Sequence, residues 1–210
     1  MQITNTLLAR TAWFLDINAL NPLGLALGPI HSVLIQKYKF LAYPTSPYEF
    51  DLTKGVKYLN GEFEFNDKKI GIAITFFNNG WAADTLVSTE ASDAFLENLE
   101  EWLTSLQFRS AKKFVTKTVH ESQLVVTSDI NIEKLSDGLK PIISLVAKLS
   151  GNEKEEFSGF SIGPETYPTQ TFTFERRANT PSSEKLYYSR ALMQTARHQQ
   201  ILFELERLFS

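Results

Sequence analysis

One short segment has the residue types and spacing of a hydrolase nucleophile. Gly159-Phe160-Ser161-Ile162-Gly163 matches the pattern G-x-S-x-G, in which the glycines allow a sharp strand-to-helix turn that exposes the serine. Acidic residues and then His198 follow in the order that a serine–acid–histidine triad requires. A helix must follow such a serine, however, and Pro164 and Pro168 follow instead. The sequence therefore favours a strand residue beside a turn, and it assigns no catalytic residue.

Carboxylates are the second possible source of chemistry. Two glutamate pairs, at 62 and 64 and at 100 and 101, are predicted to lie on solvated faces. Glycosidase chemistry would need two carboxylates that converge across a cleft. Asp84 differs, because it interrupts the apolar strand 81–87. An acid there is expected on an exposed face, in a buried pair or in a functional role.

Cofactor and metal sites are not indicated. The chain has no cysteine, which excludes disulfides, zinc–thiolate sites and thiol nucleophiles. Its three histidines, His31, His120 and His198, form no ligand-spaced pair. Phosphate-binding loops, dinucleotide fingerprints and EF-hand loops have no match in the sequence. We therefore predict no cofactor and no metal.

A cluster of basic and aromatic residues lies near the C-terminus. Arg176, Arg177, Arg190 and Arg197 surround the pair Tyr187-Tyr188. Arginine and tyrosine are favoured contact residues in protein interfaces, so these arginines are candidate partner-binding residues. The whole chain has a net charge of −3, which argues against nucleic acid as the partner.

Two unusual loops are also candidates for contacts. Residues 20–30 are apolar and rich in glycine, although loops are normally polar. Leu25 and Leu27 are predicted either to be buried under the domain or to form an exposed interaction surface. The second loop, Tyr43-Pro44-Thr45-Ser46-Pro47-Tyr48, is stiff and aromatic, and Tyr43 and Tyr48 are candidate contacts.

Length and composition place the chain among ordinary globular proteins. With 210 residues it suits one large domain or two small ones, and its apolar content of 43% is sufficient for a core. No signal peptide is predicted, and the lack of cysteine suits the cytoplasm or another reducing compartment. Residues 17–36 carry no charge. Their prolines and polar residues nevertheless favour strand, loop and strand over a membrane span.

Turn chemistry predicts a β-meander over residues 54–88. Asn60-Gly61 is expected to form a type I′ turn, which would place Val56, Tyr58, Phe63 and Phe65 on one apolar face. Lys57 would then pair with Glu64 across the hairpin. A helix is predicted at 89–107, with Ser88 or Thr89 as its N-cap.

The second half of the chain shows similar patterns of strands and helices. We predict a hairpin from 114–119 and 124–128, then one kinked helix or two short ones over 132–149. Strands at 157–162, 171–177 and 185–190 and a helix at 191–208 complete the chain. The result is an α+β fold of antiparallel meanders and hairpins packed against about three amphipathic helices. The halves 1–107 and 108–210 are expected to form one compact unit.

These observations predict a non-catalytic protein–protein interaction or assembly subunit, such as a component of a phage or another larger particle. The predicted partner is a protein or a second copy, and neither nucleic acid nor a membrane is expected. The alternative is a small-ligand-binding protein or an enzyme, with a pocket between sheet and helices near Trp81, Asp84 and Tyr188.

Overall fold

The computed structural model describes residues 1–16, 27–130, 132–150, 156–165 and 171–209. These ranges contain eight strands and four α-helices. The strands are β1 (Gln2–Leu15), β2 (Val56–Phe65), β3 (Lys68–Phe77), β4 (Gly80–Thr85), β5 (Val115–Thr127), β6 (Gly159–Ile162), β7 (Phe172–Arg176) and β8 (Leu186–Ala191). The helices are α1 (Gly28–Tyr38), α2 (Thr89–Ser105), α3 (Lys140–Ser150) and α4 (Thr195–Phe209). A 3₁₀ segment, Ile132–Leu139, precedes α3.

The strands lie in the orders β2-β3-β4-β1 and β6-β7-β8-β5, and the pairs β1–β4, β2–β3, β3–β4, β6–β7 and β7–β8 are antiparallel. Two meanders, β2-β3-β4 and β6-β7-β8, are each followed by a helix. The predicted α+β fold of antiparallel strands packed with helices is therefore confirmed. Helix α2 also begins as predicted, because the Ser88 side chain accepts a hydrogen bond from the Ala91 amide.

The predicted turn at Asn60-Gly61 is wrong, because these residues form a bulge inside β2. Tyr58 pairs with Ile74 and Gly61 with Ile72, so the register slips by one residue between them. Asn60 takes a positive φ of 56° there, and Gly61 lies so close to the Phe40 ring that a Cβ would be 2.5 Å from it. The hairpin turn lies at Asn66-Asp67, where both φ angles are positive.

The bulge changes the strand pairing and keeps the apolar face. Val56 and Tyr58 are buried, and Phe63 packs against the same core, as the sequence indicated. The predicted pair Lys57–Glu64 does not form. Lys57 instead lies opposite Thr75, and Glu64 lies opposite Lys69.

Two further predictions are wrong. Residues 114–128 do not form a hairpin, since β5 is a single strand of 13 residues. Residues 28–38 form helix α1 rather than a strand. Pro29 suits the first turn of a helix, and Ile30, Leu34 and Tyr38 recur every four residues to give a buried stripe. The prediction of one kinked helix or two short ones over 132–149 is met by the 3₁₀ segment and α3.

The N-terminal unit comprises Thr6–Ser122 and Met193–Thr195. Its strands have the order β2-β3-β4-β1. Its core is aromatic: Tyr38 packs edge-on against Phe95 of α2, and Trp13 stacks on Trp81 at 6.4 Å. Edge-to-face and offset stacked rings of this kind add stability beyond the area that they bury.

The C-terminal unit comprises Met1–Asn5, Gln123–Leu192 and Ala196–Ser210. Its strands have the order β6-β7-β8-β5, in which β5 contributes residues 123–127 and its residues 115–122 belong to the N-terminal unit. Phe174 stacks on Tyr187 at 4.8 Å, and Phe160 packs beside Phe172 and Phe174. Helix α4 contributes buried Leu202 to this unit.

The two units have the same connectivity. Each runs strand, helix, three-stranded meander and helix, as β1-α1-β2-β3-β4-α2 and as β5-α3-β6-β7-β8-α4. The order of strands within each unit is also the same. Helices α1 and α3 are both 11 residues long, and 12 residues separate each of them from the strand before it.

The sequence retains matching residues at equivalent positions. Leu27-Gly28-Pro29-Ile30-His31-Ser32 at the start of α1 matches Leu139-Lys140-Pro141-Ile142-Ile143-Ser144 at the start of α3 in four of six residues. Asp-Ile-Asn occurs before both, at 16–18 and 129–131. Helices α2 and α4 both begin with a threonine, and the two positions differ by 106. The shared connectivity and spacing indicate an internally duplicated chain.

Candidate interaction surface

Both unusual loops contribute to one groove in the N-terminal unit. Leu25 lies outside the described residues, but Leu27 is buried at the start of α1. Together with Gly28 and His31 it faces residues 43–52 across a groove of about 790 Å³, which we call the His31 groove. Leu27 and Tyr43, predicted separately from sequence, are thus brought to one site.

His31 lies among three aromatic rings in this groove. Its centroid is 5.2 Å from that of Phe50, 5.7 Å from Tyr58 and 5.9 Å from Tyr43. Its Nδ1 lies 2.9 Å from the Tyr58 hydroxyl. Burial raises the pKa of Tyr58 to about 12, so this hydroxyl keeps its proton. When it donates to Nδ1, the ring proton lies on Nε2.

The wall of the groove is held rigid by local hydrogen bonds. Glu49 closes a capping box over a short 3₁₀ turn, where its carboxylate accepts from the Thr45 and Ser46 amides at 2.6 and 3.0 Å. These hydrogen bonds lower the pKa of Glu49. Pro47 occupies the first helical position. Tyr48 projects from this rigid turn with 93% of its surface exposed.

The four candidate arginines lie on strands β7 and β8, in the segment after β7 and on helix α4. Because side chains alternate along a strand, Arg176 lies on the same face as buried Phe174, and Arg190 lies on the other face. Arg176 also forms an ion pair with Glu156. Arg177 is exposed in the turn after β7, and Arg197 is exposed on α4. Arg176 and Arg190 therefore lie on opposite faces of the strand pair β7–β8.

Asp84 belongs to an ion pair. Its two carboxylate oxygens accept from Arg10 Nε and a terminal nitrogen at 2.6 and 2.7 Å. The pair joins β1 to β4, whose register places Arg10 opposite Asp84. The hydrogen bonds that Arg10 donates to Asp84 raise the pKa of Arg10. The two residues are positioned to hold strands together, and this pairing was among the roles expected for Asp84.

Ser161 and His198 do not form a hydrolase site. Ser161 lies in β6 rather than on a strand-to-helix turn, and its hydroxyl is 3.2 Å from that of Thr173. His198 is fully buried, with its Nε2 2.8 Å from Ser189 Oγ. Ser189 donates its own proton to the Thr173 carbonyl, so its oxygen accepts from His198. The structure thus gives His198 a packing role.

Two polar sites could not be found from the sequence. His120 Nε2 lies 3.1 Å from both carboxylate oxygens of Asp93, although the residues are 27 positions apart. Glu100, predicted to be solvated, is buried. Its carboxylate accepts from Ser110 Oγ and from the amides of residues 111 and 112. Helical periodicity places Glu100 beside the apolar stripe, but the loop that covers it returns from later in the chain.

A further apolar surface lies on α3. Four of its side chains form one stripe and are strongly exposed: Ile142 (58%), Leu145 (50%), Val146 (47%) and Leu149 (78%). No residue of α3 is buried in the part of the chain that the structure describes. A helix with an apolar stripe normally buries it, so this surface is a candidate for contact with another protein.

A second groove in the C-terminal unit lies between strand β6 and helix α4. Its volume is about 380 Å³. The strand side is formed by Phe160, Ile162 and Phe172, and the helix side by Gln200, Ile201, Glu204, Leu205 and Leu208. We call it the β6–α4 groove. Its lining is mainly apolar and includes a single carboxylate.

Among the described residues, no group of three or more histidines and acids is arranged to hold a metal ion. None of the described helices is long and apolar enough to cross a membrane. No protein-family model matches the sequence, and no curated protein matches it either.

Proposed function

We propose that this chain is a non-catalytic protein–protein interaction or assembly subunit, and that helix α3 is its main contact element. The observation that carries the proposal is the exposed stripe Ile142, Leu145, Val146 and Leu149. Burial of apolar side chains supplies most of the energy of protein association, at about 25 cal/mol per Å². A helix that lays such a stripe into a groove is a common mode of recognition.

The composition of the other exposed surfaces supports the same function. Tyr48 and Leu41, which is 79% exposed, extend from the segment that borders the His31 groove. The polar groups most suited to chemistry have structural partners instead: Asp84 binds Arg10, and His198 binds Ser189. A component of a phage or another larger particle is the setting in which these surfaces would be used.

A pair of double variants tests the proposal. Leu145→Glu with Leu149→Glu places two charges on the stripe, whereas Ser144→Glu with Lys148→Glu places two charges at the same spacing on the opposite side of α3. Because all four positions are exposed or nearly so, both variants should keep the thermal stability of the original protein.

The readout is association, either as molar mass by light scattering or as partner proteins retained on immobilised chain. The stripe variant should lose at least tenfold in affinity, and the opposite-face variant should retain it. A wild-type chain that neither self-associates nor retains a partner in a stripe-dependent way would contradict the proposal.

A second function, binding of a small ligand, is favoured by the His31 groove. It combines an apolar wall with one imidazole, as small-molecule sites commonly do. An apolar aromatic probe such as anilinonaphthalene sulfonate should bind there, and His31→Phe should change its affinity severalfold. Equal affinity of the probe for the His31→Phe protein would exclude this groove as its site.

A further inference from the structure

The internal duplication shows what fits the β6–α4 groove. In the N-terminal unit, α1 packs beside β2 and α2 and ends with Tyr38. The Tyr38 ring lies 5.0 Å from Phe95 and 6.0 Å from Trp102, and its hydroxyl donates to Asn98 at 3.0 Å. Gly61 of β2 borders the same place, next to Phe40. These residues of β2 and α2 form the seat of α1.

The equivalent seat in the C-terminal unit is the β6–α4 groove. Helices α2 and α4 match at a separation of 106 residues, so Phe95, Asn98 and Trp102 correspond to Ile201, Glu204 and Leu208. All three of these α4 residues line the groove. The strand side corresponds as well. Gly61 pairs with Ile72 in one unit, and Ile162 pairs with Phe172 at the equivalent place in the other.

The helix that corresponds to α1 is α3. At a separation of 112 residues, the buried α1 residues Ile30 and Leu34 match Ile142 and Val146 of the exposed stripe. The same fold unit therefore has its helix seated in one copy. In the other copy, both the helix stripe and the groove are open. The two open surfaces are complementary, because the seated copy shows that such a helix fits such a groove.

We propose that α3 of one molecule docks into the β6–α4 groove of a second molecule, so that two copies exchange helices in a symmetric dimer. This inference rests on the proposed function of α3 and names its partner. Exchange satisfies both grooves and both stripes at once, as a two-fold interface requires.

The length of the return connection favours exchange over docking in the same molecule. In the N-terminal unit, 17 residues (39–55) return the chain from α1 to β2. In the C-terminal unit only eight residues (151–158) connect α3 to β6. The connection is thus nine residues shorter than its equivalent in the seated copy, and shortening the connection beside an exchangeable element favours swapping.

The absence of cysteine makes a direct test possible. Ser150→Cys and Ile201→Cys mark the positions equivalent to Tyr38 and Phe95, and each is made in a separate protein. The two single variants are mixed, left to exchange subunits and oxidised mildly. A disulfide-linked dimer of the two variants forms only if α3 of one copy reaches the groove of the other. Lys148→Cys mixed with Ile201→Cys is the matched control, because residue 148 lies away from the stripe.

The expected result is a crosslink yield at least fivefold above the control. It should accompany a molar mass of twice 23.8 kDa that falls to 23.8 kDa in the Ile142→Glu/Val146→Glu protein, because these two positions match the buried Ile30 and Leu34 of α1. A monomer in which the double variant Ser150→Cys/Ile201→Cys closes within one chain would overturn exchange and show docking in the same molecule. A monomer without either crosslink that still retains another protein through the stripe would overturn the dimer and leave the proposed function standing. If no association depends on the stripe, both the helix-exchanged dimer and the proposed function are refuted.

Discussion

The burial of His198 predicts a specific loss of stability in mild acid. The side chain is fully buried between Ser189, to which it is hydrogen bonded, and the ring of Phe172. Burial lowers its pKa from 6.5 to about 4. In the unfolded chain the imidazole binds a proton below about pH 6.5, whereas in the folded chain it does so only below about pH 4. Unfolding therefore takes up a proton between these values, and stability falls as the pH falls through this window.

The size of the effect follows from the same two values. Each pH unit between them corresponds to about 1.4 kcal/mol, so the full loss is about 3 kcal/mol once the pH is below 4. Between pH 7 and pH 5 the expected loss is about 2 kcal/mol. Urea denaturation at pH 7, 6 and 5 measures this directly, because the free energy of unfolding is extrapolated to water at each pH.

His198→Gln separates this contribution from all other titrations. Its amide can still donate to Ser189, but it does not titrate. The stability difference between the original protein and this variant should shrink by about 2 kcal/mol between pH 7 and pH 5. Ala178→His is the control, since it adds an imidazole at an exposed turn and should leave the pH dependence unchanged. The reasoning is refuted if the free energies of unfolding of the original and His198→Gln proteins differ by the same amount at pH 7 and at pH 5.

Two further substitutions test the packing of the N-terminal unit by urea denaturation. Gly61→Ala should destabilise by about 1–3 kcal/mol, because its Cβ would lie 2.5 Å from the Phe40 ring, whereas Gly71→Ala meets no atom within 4 Å and should cost less than about 0.5 kcal/mol. Equal losses of stability in Gly61→Ala and Gly71→Ala would mean that the Phe40 ring moves aside. Glu100→Ala should cost about 2–4 kcal/mol, because it removes the acceptor of three hydrogen bonds. Exposed Glu101→Ala should cost less than about 0.5 kcal/mol, and a loss as large as that of Glu100→Ala would contradict this account.

Periodic patterns predicted most of the helices and strands, since they depend on residues close together in the chain. The stripe in α2 and the three strands β6, β7 and β8 are examples. Asn60-Gly61 shows the limit of this approach. Asparagine and glycine accept positive φ in a turn and in a bulge alike. The structure forms the bulge where Phe40, from an earlier segment, lies against Gly61.

Local sequence patterns were even less informative about the candidate sites, which depend on contacts between distant residues. The unusual composition of their loops makes Leu27 and Tyr43 candidate contact residues, but nothing in the local sequence indicates that they share a groove around His31. The pairs His120–Asp93 and Arg10–Asp84 each join residues that are far apart in sequence. Strand register brings Arg10 and Asp84 together, and register was not predictable for β1, whose partners are β4 and β5.

The duplication was hidden because its two copies have diverged where α1 and α3 would be anchored. Helix α1 ends in Tyr38, whose ring and hydroxyl both contact α2, whereas the matching residue of α3 is Ser150. Loss of an aromatic anchor removes a contact worth roughly 0.5–1.5 kcal/mol beyond its buried area. Ile142, Leu145 and Val146 are nevertheless apolar like their equivalents in α1, and Leu149 is apolar where α1 has Lys37. A helix that has lost its aromatic anchor but has an apolar stripe is suited to leave its own unit and to dock on another molecule. The sequence divergence that obscures the repeat therefore also supports an interaction role for α3.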